Sequence, residues 1–123
     1  MSLRCVLVDD NVEFLRSAIR LLQAEGMEVV GAAQSGPEAI ALAVLHRPDV
    51  VLVDVELGGE SGFDVATQLE ALPQPVSIIM ISTYGRDDVA DLLMTSPAIG
   101  FLAKSRLGLD PIQRLLSASR PET

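Results

Sequence analysis

The sequence predicts a single doubly wound α/β domain, a parallel sheet with helices on both faces. Three observations carry that expectation. Short runs rich in Val, Ile and Leu alternate with longer segments whose apolar residues recur at helical spacing. Gly26, Pro48, Pro73 and Pro75 fall between these segments, where they punctuate rather than interrupt. The apolar run 50–53 is continuous rather than alternating, as a parallel strand covered on both faces requires. Strands alternating with helices imply βαβ units joined by right-handed crossovers.

Each element follows in order. The first strand, 3–8, is apolar except for Arg4 and ends at Asp9-Asp10. Val12, Leu15, Ala18, Ile19 and Leu22 then repeat at helical spacing, and Gly26 closes that helix. Residues 27–33 read as a second strand. Ser35 or Gly36 can cap the next helix, with Pro37 in its first turn and Ala39, Ile40, Ala43 and Val44 on its inner face, before the stop at Pro48. The third strand, 49–54, ends in a carboxylate, Asp54, and the glycines of 57–62 predict a loop. A third helix over 63–72 is halted by Pro73, and a fourth strand over 76–81 ends at Ser82-Thr83. Residues 86–94 form a weaker helix with Val89, Leu92 and Leu93 apolar, and a short fifth strand over 99–103 precedes Lys104. Asp110-Pro111 opens the last helix, with Ile112, Leu115 and Leu116 inward. The domain is expected to span 1–118, leaving 119–123 as a frayed tail or the start of a linker.

Composition narrows the function classes. A chain of 123 residues suffices for one domain and not two. With 3% aromatics and no Trp, its core must be packed from Val, Leu, Ile and Ala. The formal charge of −8 repels phosphate backbones and anionic lipid, so direct binding to nucleic acid or a membrane surface is not expected. Cys5, the single cysteine, cannot form an internal disulfide; in an apolar run it reads as an inert core thiol in a reducing compartment. No stretch approaches the ~18–20 apolar residues of a membrane span. Arg4, Asp9 and Asp10 break the first apolar segment too early for a signal peptide. A cytoplasmic chain is expected.

The polar residues supply the chemistry. In a doubly wound sheet, ligands bind outside the carboxyl ends of the strands, where strand order reverses. Asp9 and Asp10 end the first strand, Asp54 the third, Ser82 and Thr83 the fourth, and Lys104 the fifth, so all should open at one rim. Three converging carboxylates repel, and a hard divalent cation with oxygen ligands is the simplest remedy. Mg²⁺ suits it, because that ion accepts one or two carboxylates, keeps waters and bridges to phosphate oxygens. Asp54 is then placed as a nucleophile toward phosphorus, forming an acyl phosphate, with Lys104 and the Ser82 hydroxyl on two of the phosphoryl oxygens. Taken singly, the acid pair also reads as a helix cap, and a lone Lys104 or Ser82 as an ordinary surface group. The joint placement is what points to chemistry.

With these residues in view, the sequence resembles the receiver domains of bacterial two-component response regulators, from residue 3 to about 116. Val-Leu-Val-Asp9-Asp10 is similar to the family's acidic pair and Val-Val-Leu-Val-Asp54 to its phospho-acceptor strand. Ile-Met-Ile-Ser82 looks like the strand ending in the switch hydroxyl, Gly100 to Lys104 like the segment bearing the switch aromatic and the lysine, and Gly62 like the glycine after the acceptor loop. The resemblance implies a flavodoxin-like (βα)5 sandwich with sheet order 2-1-3-4-5. It implies that a histidine kinase or small phosphodonor phosphorylates Asp54, the chain modifying itself rather than turning over a substrate. Asp10 and Asp54 would ligate Mg²⁺ directly, Asp9 through water, and Glu56 through its backbone carbonyl. Ser82 would move toward the phosphoryl group and Phe101 turn inward. The face of fourth helix, fifth strand and fifth helix would then meet an output domain or a second copy. The stretch from Phe101 to Ser105 looks most like receivers that precede a helix-turn-helix DNA-binding domain in transcription regulators.

Several residues depart from the family pattern. Ser105 stands where a cis proline is usual, so either a trans bond or a strained loop is expected. Gly58 replaces a common loop proline, which predicts a more mobile loop, and Thr83 replaces a common Ala at the entrance. Glu56 brings an acidic side chain toward the phosphoryl pocket, where it should alter the acyl-phosphate lifetime. Phe101 also reads as core filling, and His46 as a solvated helix residue without the four-helix context of a phosphorelay histidine. Two other chemistries were weighed. A haloacid-dehalogenase-type phosphohydrolase would carry its Asp-x-Asp on a first strand, which Asp54-Val55-Glu56 matches poorly. A flavin module would need a hydroxyl-rich phosphate loop where Asp9 and Asp10 stand. A degenerate receiver acting only as a binding module is the remaining alternative, opposed by the presence of Asp54 and Lys104.

Overall fold

A computed structural model describes residues 2–83 and 85–119. Numbering the strands of the main sheet alone, these are β1 (Arg4–Val8), β2 (Glu28–Ala33), β3 (Val50–Asp54), β4 (Ser77–Ser82) and β5 (Gly100–Ala103). They pair in parallel in the expected order β2-β1-β3-β4-β5. The helices are α1 (Val12–Ala24), α2 (Gly36–His46), α3 (Gly62–Glu70), α4 (Ala90–Thr95) and α5 (Leu109–Ser119). No helix among the described residues is long and apolar enough to cross a membrane.

The period of two along each strand divides the core into two layers. Val6, Val8, Val51, Val53, Ile78 and Met80 pack toward Ala39 and Ala43 of α2, Val65 and Leu69 of α3, and Leu93 of α4. Cys5, Leu7, Val50, Leu52, Ile79 and Ile81 pack toward Leu15, Ala18 and Leu22 of α1 and Ile112 and Leu116 of α5. β3 is buried along its whole length, which explains its continuous apolar run. Burial pushes the Cys5 thiol up to about 12, so it stays protonated, as an inert core thiol should.

Side-chain caps start the first two helices, the first of them one residue beyond the acid pair. The Asn11 side chain accepts from the Phe14 N–H at the start of α1, and Ser35 caps α2 with Pro37 in the first turn. Three apolar residues that fit the helical spacing are nonetheless exposed: Val12, Val44 and Leu92. In α2 only the small side chains Ala39 and Ala43, with Gly36, are fully buried. The helix therefore contacts the sheet along a narrow stripe, and Val44 at its flank stays in solvent. The weak helix over 86–94 is in fact two pieces, a 3-10 turn over Arg86–Val89 and the short α4, neither with a side-chain cap. The tail expected over 119–123 starts inside α5, whose last residue is Ser119, and otherwise lies outside the described residues.

The expected loop after β3 is instead a small antiparallel hairpin, Glu56–Leu57 against Glu60–Ser61. Gly58 turns it at φ 65°, a left-handed conformation that suits glycine and is closed to proline. Leu57 is buried, and Glu60 Oε1 accepts the Gly36 N–H at 2.7 Å, tying the hairpin to the N-terminus of α2. The chain then folds back so tightly that Gly62 donates to the Val55 carbonyl at 2.8 Å. A Cβ at Gly62 would collide with the carbonyl oxygen of Asp54. Gly62→Ala should therefore destabilise the domain by about 2 kcal/mol or more, as overpacking against backbone does. Urea unfolding of the variant beside wild type measures this directly.

Candidate functional site

The chain leaves β1 toward β2 on one side and returns in β3 on the other, so the order reverses between β1 and β3. Val8 pairs with Val53, and the next residues, Asp9 and Asp54, therefore sit side by side at the reversal. Asp54 pairs with Ile81 and Ser82 with Ala103, which carries the same rim across β4 and β5 to Lys104. Parallel register alone thus assembles Asp9, Asp10, Asp54, Ser82 and Lys104. They line one open cleft of about 280 Å³, together with Thr83, Asn11, Glu56 and Gly58.

Lys104 Nζ lies 2.6 Å from Asp9 Oδ2 and 3.2 Å from Asp54 Oδ2, with its side chain only 16% exposed. Burial opposes the charge on Lys104, but the contact with Asp9 and the charges of Asp54 and Asp9 outweigh it and raise its pKa. Asp54 moves upward as well, to about 6. Burial contributes most and the Asp9 charge next, against the opposing pull of Lys104 and of the Glu56 N–H, which donates to Oδ1 at 3.3 Å. Asp9 is fully buried. Its Oδ1 accepts the Asn11 N–H at 2.9 Å, and its Oδ2 faces the Lys104 ammonium at 2.6 Å.

Asp9, Asp10 and Asp54 each bring a carboxylate oxygen within 4.8 Å of the others. One nearby ammonium against Asp9, Asp10 and Asp54 leaves that cluster two charges negative, and the Glu56 carboxylate at the cleft edge adds to the excess. This donor set fits a small divalent cation with oxygen ligands, and it lacks the nitrogen or sulfur ligands of a transition-metal site.

The remaining expected residues fall in different places. Ser82 is buried at the end of β4 and reaches the cleft wall. Phe101, in the middle of β5, is half-buried against the α2–α3–α4 layer rather than in the cleft. His46 closes α2 beside Arg4, which donates to its carbonyl at 2.7 Å, and is half-buried instead of fully solvated. The Lys104–Ser105 bond is trans and opens a 3-10 turn over Lys104–Arg106, so no strained bond is needed there. Sequence reasoning passed over Phe14, whose ring lies under the Lys104 ammonium at 4.4 Å, and Glu60. Both act through contacts between residues distant in the chain, for which the sequence carries no local signal.

A doubly wound α/β domain with an acidic cleft at its strand-order reversal is what this geometry defines, and comparison with known proteins gives it a family. The model for the response regulator receiver domain matches residues 5–114, and the chain belongs to that family. The transcriptional regulatory protein PdtaR of Mycobacterium tuberculosis is 30% identical over 101 residues, covering 82% of this chain and 49% of that one. The chain spans about half the length of the curated relatives it matches. Among solved structures, the signal receiver domain of NarL from the same organism superposes with a TM-score of 0.83 at 28% identity, covering 97% of this chain and 98% of that one. A response regulator from Burkholderia pseudomallei, solved with a phosphorylated aspartic acid, calcium ion and citrate, superposes with a TM-score of 0.79 at 26% identity. That match covers 94% of this chain and 66% of that one.

The upward shift of Asp54 fixes the sign of its contribution to stability. Its folded pKa of about 6 exceeds the ordinary carboxylate value of 3.8, so the ionised form destabilises the fold above pH 6. That penalty fades as pH falls through 6 and is gone below about 4. Asp54→Asn should accordingly stabilise the metal-free domain at pH 7 by up to about 3 kcal/mol. The gain should shrink toward zero near pH 4 and be smaller in Mg²⁺. Thermal unfolding of both proteins across pH 4–8 checks this.

Proposed function

We propose that this chain is a phospho-accepting switch. Asp54 takes a phosphoryl group from a histidine kinase or a small phosphodonor, beside Mg²⁺ held by Asp10, Asp54 and the Glu56 backbone carbonyl, with Asp9 acting through water. The observation that carries this reading is the position of Asp54, between the ammonium of Lys104 at 3.2 Å and a cluster of carboxylates, at the strand-order reversal of the sheet. The Burkholderia relative, solved with a phosphorylated aspartic acid and a calcium ion, supports carrying the same chemistry to this chain.

The side chains act as follows. With a pKa near 6, Asp54 is ionised at neutral pH and can attack phosphorus. An oxygen–phosphorus bond forms to the carboxylate. The bond to the donor breaks, and its electron pair leaves with the donor imidazole or carboxylate, as in-line transfer requires. The Glu56 N–H on Oδ1 fixes the rotation of the Asp54 carboxylate. Lys104 releases Asp54 to meet one phosphoryl oxygen, and the Ser82 hydroxyl donates to another. When bound, Mg²⁺ neutralises the carboxylates and the remaining phosphoryl charge. Thr83, exposed at the mouth, narrows the donor's approach, and the Glu56 side chain adds negative charge there.

Movement of Ser82 vacates space beside β5, into which Phe101 turns. The change reads out on the face of α4, β5 and α5; α4 carries the exposed apolar residues Leu92 and Met94. Either an output domain following residue 118 or a second copy of the chain docks there. PdtaR, named a transcriptional regulatory protein, supports transcription control as the output, and a cytoplasmic location belongs to the same proposal. The domain would occupy 1–118, with 119–123 leading into a linker.

Incubation with acetyl phosphate followed by intact-mass spectrometry tests the reading. Wild type should gain one phosphoryl group only when Mg²⁺ is present, and Asp54→Asn should gain none. Wild type unmodified while Mg²⁺ is bound, or an adduct that persists in Asp54→Asn, would remove Asp54 from the role.

A further inference from the structure

Lys104 is held by three contacts of different kinds. Asp9 Oδ2 lies 2.6 Å away, Asp54 Oδ2 lies 3.2 Å away, and the centroid of the Phe14 ring lies 4.4 Å from Nζ. The two carboxylates are also the groups that a cation and a phosphoryl group would engage. Once they are engaged, their hold on the ammonium weakens. The ring takes no part in either event, and its attraction for a cation persists whatever the carboxylates are doing.

The position of Phe14 is itself set by the acid pair's loop. Asp9 Oδ1 accepts the Asn11 N–H at 2.9 Å, and Asn11 Oδ1 accepts the Phe14 N–H at 3.1 Å as the cap of α1. The Phe14 ring meets Lys104, and Lys104 returns to Asp9. Four residues thus close a circuit in which β1, the start of α1 and the end of β5 locate one ammonium.

We infer that Phe14 is a positioning residue for Lys104, whose ring keeps the ammonium over the cleft while its carboxylate partners are occupied. The inference rests on the reading of Asp54 as phospho-acceptor. Phe14 is also half-buried against the α1–α5 layer, so removing it costs ordinary packing as well. The two roles separate by chemistry. Leucine retains the apolar contact and loses the ring's negative face. Tyrosine retains both.

The test measures single-turnover phosphorylation by acetyl phosphate at saturating Mg²⁺ for wild type, Phe14→Leu and Phe14→Tyr. Mg²⁺ affinity by calorimetry and the NMR shift of the Lys104 ε-methylene are read in parallel. Phe14→Leu should slow phosphorylation about three- to tenfold, the equivalent of about 0.7–1.4 kcal/mol, with Mg²⁺ affinity unchanged. Phe14→Tyr should restore the rate. The ε-methylene should carry a ring-current upfield shift in wild type and Phe14→Tyr, with Mg²⁺ bound, and lose it in Phe14→Leu. Equal rates in wild type and Phe14→Leu, or a Tyr variant as slow as Leu, would overturn the inference. If wild type gains no phosphoryl group, the phospho-acceptor reading fails on its own account. The ε-methylene shift in Mg²⁺ then decides whether the ring holds the ammonium: its absence from wild type overturns the hold.

Discussion

The ammonium of Lys104, pressed between Asp9 and Asp54, is the interaction on which the rest of the cleft depends. Unit charges 4–5 Å apart interact by roughly 4 kcal/mol at an effective dielectric of 20, so three clustered carboxylates without a cation would be a heavy load for one small domain. Lys104 relieves part of that load and leaves a deficit of two positive charges. Part of the remainder, the charge of Asp9, adds to burial in raising the pKa of Asp54. A site so unbalanced gains more from a divalent cation and from a change at Asp54 than a neutralised one could. Stability is held back where the chemistry is to occur.

The fold positions this imbalance economically. Register between β1 and β3 sets Asp9 beside Asp54, and register from β3 through β5 brings Ser82 and Lys104 to the same rim. The hairpin after β3 keeps Glu56 and Gly58 at the edge of the cleft, held by buried Leu57 and by the bond from Gly36 to Glu60. The hairpin is thereby built into the body of the domain through α2. The α4 side is looser in construction: that helix is short, without a side-chain cap, and begins from a 3-10 turn. A region with few buried residues can repack at low cost, whereas β3 beneath Asp54 is buried throughout.

Much of this was legible in the sequence because the signals were local. The continuous apolar run of β3 identified a doubly covered strand, and carboxylates, hydroxyl and lysine each followed a strand directly. The parallel topology then required them to meet. The cap Ser35 was readable from side-chain chemistry in the same way, whereas the cap of α1 falls on Asn11, one residue beyond the acid pair. The misread features depend on distances the sequence does not encode. Glycines at 58, 59 and 62 read as a loop, but Leu57 found a buried seat and the Glu60 carboxylate found the α2 N-terminus 24 residues away, which stabilise a hairpin. Val44 and Leu92 matched helical spacing, yet small neighbours and a short helix left them outside. Phe14 looked like one more apolar residue of α1 until the end of β5 brought Lys104 over its ring.

The central claim is that the cleft is an anionic seat for one divalent cation at the carboxylate cluster. Calorimetric titration of the folded domain with Mg²⁺, beside Asp10→Asn, tests it most directly. The account predicts one Mg²⁺ per wild-type chain and a marked loss of affinity in the variant. Wild type that binds no Mg²⁺, or an Asp10→Asn variant that binds it equally well, would contradict it.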